Sequence, residues 1–175
     1  MKTINARLIE CFGHVFAAEH YYWTHTDGDA AGRISIENLQ RVIECMTGKR
    51  IIKRLVNFGG SLVRGNFERY DDRFEINIRK SQPDDWIRFT AVKEMSHALN
   101  DQPSEYSTAG VETIKELVLS DGILSDDMSE QVRSERLAEL FAVELIYPFN
   151  YRRDDVDRLS KGGLTVRDVA EQRGV

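Results

Sequence analysis

The sequence predicts a single α+β domain that is mostly helical and contains a small antiparallel β-sheet at about residues 50–79. Three observations predict this class. The length of 175 residues suits one domain with a buried core. Apolar residues recur at helical spacing on both sides of a central stretch. Inside that stretch they alternate with polar residues, which is typical of a half-buried strand.

The N-terminal segment, residues 1–48, is predicted to form two helices. The first covers residues 3–25 and has apolar side chains at helical spacing. The second begins after Ser35, whose hydroxyl can cap it, and runs to about Thr47. Gly48 then supplies the residue type that most often ends a helix. Both helices are interpreted as scaffold.

The central segment is predicted to be a β-meander of three strands. Runs rich in β-forming residues occupy 51–58 and 61–70. In the third run, 73–79, Phe74, Ile76 and Ile78 alternate with polar residues. This alternation predicts an antiparallel strand with one buried face.

The remainder of the chain is predicted to be helical. Ser129 can cap the longest of these helices, and Pro148 stops it. Thr165 can cap the last one, which ends near Gly174. The predicted helices cover residues 86–100, 104–120 and 129–147, followed by short helices within 151–175.

Composition excludes several classes of protein. The chain has 24 Lys and Arg against 29 Asp and Glu, a net charge of -5, so we do not expect the domain to bind nucleic acid. No apolar run approaches the ~20 residues of a membrane span, and the N-terminus lacks a signal-peptide pattern. We therefore expect a cytoplasmic protein. Cys11 and Cys45 are expected to be unpaired, buried side chains.

The helix predicted at 86–100 carries an altered metal-binding motif, K-E-M-S-H at positions 93–97. A histidine at position 93 would complete H-E-x-x-H, in which two imidazoles one turn apart bind zinc and the glutamate activates water. Glu94 and His97 keep their places in this motif, whereas Lys93 replaces the first ligand. A catalytic zinc usually has a third protein ligand, and Glu135 on a later helix is the candidate.

A stripe on the helix at 129–147 supports this pairing. Glu135, Ala138, Glu139 and Ala142 recur at helical spacing, so two small side chains lie beside two carboxylates. We expect this stripe to pack against the helix at 86–100 and to bring His97 and Glu135 to one site. Glu139 is included as a candidate binding residue.

The two helices, in this order, resemble the ImmA/IrrE family of metallopeptidases. The likeness rests on R-F-T at 88–90 before K-E-M-S-H, then on E-x-x-A-x-x-F-A at 135–142 and on Pro148. It implies a zincin-like fold, Glu94 as general base, His97 and Glu135 as zinc ligands, and Lys93 at the position of the missing ligand. It also implies a partner, a helix-turn-helix repressor in phage, mobile-element or stress regulation. Leu137 and Glu139 differ from residues frequent in the family.

Lys93 decides whether the motif can still bind zinc. A free lysine has a pKa near ~10.4, so at neutral pH it is a cation without a lone pair for a metal. The carboxylates of Glu94 and Glu135 favour that charged form. We therefore expect no cofactor, and an ion pair from Lys93 to Glu135 or Glu94 in place of zinc. The rival interpretation is that Lys93 points into solvent.

Three functions remain open at this stage. The leading one is a non-catalytic pseudopeptidase that acts as a protein-binding regulatory domain. The second is an active zinc-dependent metalloendopeptidase that cleaves such a repressor. The third is a DNA-associated structural module using Arg152, Arg153 and the helix at 165–174, which is similar to the opening helix of a helix-turn-helix.

Overall fold

A computed structural model of the chain describes residues 3–27, 32–59, 63–106 and 124–174. The described residues form an α+β structure with six α-helices, one 3-10 helix and three β-strands. In chain order the elements are α1 (Ile4–His25), α2 (Ile36–Thr47), β1 (Arg50–Val56), β2 (Gly65–Arg69), β3 (Arg73–Arg79), α3 (Asp84–Asn100), the 3-10 helix (Pro103–Glu105), α4 (Glu130–Ile146), α5 (Phe149–Ser160) and α6 (Val166–Arg173).

The predicted helix caps are confirmed. The Ser35 hydroxyl accepts a hydrogen bond from a backbone N–H in the first turn of α2, and Gly48 ends that helix with a φ of 69°. Thr165 and Asp168 form a reciprocal capping box at the start of α6. Such side chains satisfy backbone groups that a helix end leaves unpaired. These ends therefore follow from local chemistry.

The sheet differs from the predicted antiparallel meander. Its strand order is β1-β3-β2, so β3 lies in the middle. β2 pairs antiparallel with β3, but β1 pairs parallel with it, in the register Ile51 to Phe74. The prediction was wrong because alternation along a strand shows which face is buried, not which way a neighbour runs.

α3 is the central element of the described structure. It packs against α1, α2, α4 and two strands of the sheet. Val92 and Met95 of α3 are fully buried, and Ile76 of β3, Ile43 of α2 and Phe141 of α4 are buried in the same core. The helix that carries the motif is therefore anchored by its neighbours, which limits the movement of its polar side chains.

Other predictions were met in part. α3 begins at Asp84, two residues before the predicted start, with Pro83 as its N-cap. Cys11 is buried as expected, but Cys45 is exposed because it lies on the outer side of α2; neither is in a disulfide. Most of the helix predicted at 104–120 falls outside the described residues. No helix in the described parts of the chain has the length and apolar character to cross a membrane.

Candidate functional site

The structure brings four predicted residues together between α3 and α4. His97 Nε2 lies 3.5 Å from Glu135 Oε1, so the predicted meeting of these two side chains is confirmed. Ala138 and Ala142 on α4 are both buried, as small residues at a close helix contact would be. The α3–α4 cluster consists of Lys93, Glu94, His97 and Glu135.

Lys93 lies between two carboxylates. Its Nζ donates to Glu94 Oε1 at 3.2 Å and also to Glu135 Oε2. The Lys93 side chain is only 16% exposed, so the interpretation that it points into solvent is wrong. Burial alone would lower the pKa of Lys93, but the charges of Glu94 and Glu135 outweigh this and hold the pKa above its ordinary value. Lys93 is therefore an ammonium at neutral pH.

His97 is held by side chains that the motif does not include. Its Nδ1 lies 2.9 Å from Asp101 Oδ2. Ser134 donates to Asp101 Oδ1 at 2.6 Å, and Arg69 donates to Asp101 Oδ2. Asp101 lies four residues after His97, about one helical turn, and Ser134 immediately precedes Glu135. These positions in the sequence could have indicated that both residues lie near the site. Nothing local indicated Arg69, which comes from β2.

The charged side chains of this cluster shift one another's pKa values so that the charged forms are favoured. Burial would lower the pKa of His97, but Asp101 and Glu135 outweigh burial and raise it to about 10. Burial would raise the pKa of Glu135, but His97 and Lys93 hold it well below its ordinary value. His97 is therefore an imidazolium at neutral pH. Its Nε2 is buried and has no hydrogen bond among the described residues, since the distance to Glu135 is long.

The zinc ion implied by the resemblance does not fit these donors. Zinc needs lone pairs, and the Lys93 ammonium at the first ligand position offers none. In the described residues, no three His, Cys, Asp or Glu side chains are grouped to hold a metal. The absence of a bound zinc stays a prediction for solution.

β2 lies directly against the motif helix. A Cβ added to Gly65 would lie 2.9 Å from Glu94 Oε1. The Phe67 and His97 rings stack with centroids 6.0 Å apart, and Arg69 reaches Asp101. Alternate side chains of β2 therefore face α3. The missing side chain at Gly65 lets Glu94 approach the strand.

The outer edge of β2 carries backbone groups that no described residue pairs. Arg79 N donates to Arg64 O, and Tyr70 N donates to Arg73 O, which identifies the residue pairs that exchange hydrogen bonds with β3. The residues between them alternate, so the N–H and C=O groups of Gly65, Phe67 and Arg69 point away from β3. Such an edge can accept an extended peptide as a further strand.

Glu139 does not join the cluster. It pairs with Arg136 on the same helix, and its side chain is 47% exposed. Each step of four residues rotates the side chain by about 40° around a helix, which moves Glu139 away from the direction of Glu135. The predicted stripe therefore overestimated how many carboxylates face α3.

The basic residues proposed for a DNA-associated module are already paired. Arg152 donates to Glu144 and to the backbone carbonyl of Tyr147. Arg153 pairs with Asp154 at 3.3 Å on the surface. Arg152 is therefore engaged within the protein, which weakens its case as a phosphate contact.

Ion pairs engage the side chains of the α3–α4 cluster. Glu94, the candidate general base, is paired with Lys93, and His97 already carries its proton.

Comparisons of the chain with profiles of known protein families, with characterised proteins and with solved structures gave no match.

Proposed function

We propose that this chain is a degenerate, non-catalytic metallopeptidase-like domain of the ImmA/IrrE type that regulates another protein by binding it. The observation that carries the proposal is the place of Lys93, whose ammonium lies between Glu94 and Glu135. This ion pairing provides the positive charge that zinc would otherwise bring to the two helices. The carboxylates are then balanced without a metal.

The proposal includes a zincin-like fold. Its support is the arrangement of a motif helix under a small sheet, with a second helix supplying a carboxylate to the same site. The edge strand β2 beside that helix adds to this support. The resemblance in both motif helices is consistent with the same assignment.

The partner we propose is a helix-turn-helix repressor, as the resemblance implies. Recognition would use an extended segment of that repressor, laid along the outer edge of β2. Main-chain hydrogen bonds to Gly65, Phe67 and Arg69 would supply affinity, and the adjoining charged cluster would select side chains. Loss of peptidase chemistry would leave this binding capacity intact.

A peptide array with amide hydrogen exchange tests the proposal. Overlapping peptides that tile the helix-turn-helix proteins of the source genome are screened for binding, with zinc added. We expect bound peptides to stay intact and to protect the amides of Gly65, Phe67 and Arg69. The amides of Asn66 and Glu68 are an internal control, because their pairing with β3 already protects them.

Two results would contradict the proposal. Cleavage of a bound peptide in the presence of zinc would support an active zinc metalloendopeptidase instead. Binding without protection of the outer amides of β2 would show that the edge strand is not the recognition surface.

A further inference from the structure

A separate cavity lies between α1 and the start of α5. Its volume is about 450 Å³, and it shares no residue with the α3–α4 cluster. This volume can admit a small organic group, and the cavity is open to solvent on one side. The side chains that give it chemical character are Phe16, Glu19, His20, Trp23, Tyr151 and Asp154.

Aromatic rings form one part of the cavity wall. The centroids of Trp23 and Tyr151 lie 5.9 Å apart. Phe16 is 53% exposed at the same cavity, although large apolar side chains are usually more buried. The guanidinium of Arg173 lies 4.5 Å from the centre of the Tyr151 ring, so this ring already contacts a cation. Aromatic faces attract cations because of their negative quadrupole.

Two carboxylates complete the wall. Glu19 Oε1 is buried and has no hydrogen-bond partner in the described structure. Burial, together with the charge of Glu144, raises the pKa of Glu19 to about 7, because Arg152 only partly compensates. Asp154 pairs with Arg153 at 3.3 Å, but both side chains are largely exposed and such pairs are weak.

The described wall of the cavity carries acidic side chains and no lysine or arginine. Arg152, the cation that Glu19 senses, is held by Glu144. Two carboxylates, one of them weakly paired with Arg153, and three aromatic rings therefore line a space whose described wall contains no lysine or arginine.

We infer that this cavity binds a small organic cation, and that a guanidinium group is its best match. A guanidinium is planar, so it can stack on Trp23 while it donates two parallel hydrogen bonds to a carboxylate. Glu19 lines the cavity, and a bound cation beside it would favour its ionised form. The inference goes beyond the proposed function, because it concerns different residues and a different class of ligand.

Nuclear magnetic resonance can test the inference with a matched pair of ligands. The probe is N-acetyl-arginine methylamide, and its neutral isostere is the corresponding citrulline derivative. The chain has two tryptophans, so the indole N–H of Trp23 reports on the cavity while that of Trp86 serves as an internal control. We expect the arginine derivative to shift the Trp23 signal in a saturable way and the citrulline derivative to leave it unchanged.

Three variants separate the carboxylates from general surface charge. Glu19→Gln should weaken binding about tenfold or more, since it removes a charge-assisted hydrogen bond. Asp154→Asn should weaken it less and, being on the surface, should fold normally. Glu171→Gln removes an exposed carboxylate that pairs with Arg167 outside the cavity, and it should bind like the parent.

Equal binding of both ligands would overturn the inference, because charge would then play no part. A Trp23 signal that does not shift with the arginine derivative would also overturn it. The same holds if neither Glu19→Gln nor Asp154→Asn weakens binding relative to Glu171→Gln.

Discussion

Two buried ion-pair clusters in this protein differ in how completely they are satisfied. The C-terminal cluster is built around Asp155, which is buried between α5 and α6. Arg173 donates to both of its oxygens, at 2.7 and 3.0 Å, and Tyr147 donates at 2.9 Å. Arg158 adds a fourth contact at 3.1 Å. This carboxylate is fully engaged in holding the helices together.

The α3–α4 cluster is less complete and more open. Glu135 is 29% exposed, and Lys93 lies between it and Glu94. The buried Nε2 of His97 has no hydrogen bond among the described residues. Buried polar groups are normally satisfied, so the buried Nε2 of His97 and the partly exposed carboxylate of Glu135 beside it distinguish this cluster from the one at Asp155. The difference separates a cluster that only stabilises the fold from one that is a candidate site.

The largest effect is expected at the C-terminal cluster. Asp155→Asn removes the charge with little change in shape and leaves Arg173 buried without a full partner. We expect the free energy of unfolding to fall by ~3–5 kcal/mol in chemical denaturation, with peptide binding at β2 unchanged. Arg167→Gln breaks an exposed pair and should cost only about 0–1 kcal/mol. Similar losses in both variants would contradict the structural role of Asp155.

The second prediction concerns Lys93→Met. It should lower the free energy of unfolding by about 3 kcal/mol, the low end of the range for buried pairs, because Glu135 is partly exposed. Glu135→Leu in the same chain should recover part of the loss by removing the stranded charge. A Lys93→Met protein with the stability of the parent would show that the ion pair does not join the helices.

A third prediction restores the ligand that the motif lacks. In Lys93→His, zinc at about one hundred times its dissociation constant should raise the free energy of unfolding by ~2.7 kcal/mol. The parent should show no such gain, because its ammonium repels the ion. Thermal melts with zinc and after chelation measure the stabilisation of the variant and of the parent. Equal stabilisation of the parent would mean that zinc binds without a histidine at position 93.

The last prediction concerns pH, where the change expected over one pH unit is smaller than the preceding effects. The pKa of His97 is raised from 6.5 to about 10 in the folded state. Its contribution to stability is therefore fully present below pH 6.5 and is lost as pH rises through 10, by at most ~1.4 kcal/mol per pH unit. The free energy of unfolding of the His97→Gln variant should depend less on pH across this window than that of the parent. Other titratable groups are common to both proteins, so their contributions cancel in the comparison. Parallel stability curves would show that His97 is not held as an imidazolium.

The predictable part of the site was the part encoded by spacing along one helix. Lys93, Glu94 and His97 share a helix, and their order alone indicated an altered metal motif. The pairing of His97 with Glu135 required a second helix, but small residues beside Glu135 indicated that it would pack closely. Glu139 was wrongly grouped with Glu135, since an approximate stripe does not show where a helix turns toward solvent.

The residues that hold His97 show the limit of this reasoning. Asp101 and Ser134 lie at spacings that could have been noticed, whereas Arg69 comes from a strand distant in sequence. The parallel direction of β1 was equally hidden, because both directions bury the same alternating face.

The sequence by itself determined the helix caps, the buried faces and the presence of a cation at position 93, because these depend on residues within a turn or two of one another. The tertiary structure alone decided that Lys93 meets two carboxylates, that Arg69 and Ser134 fasten Asp101, and that the edge of β2 lies beside them. Such contacts depend on how distant segments pack, and local propensity carries no information about that.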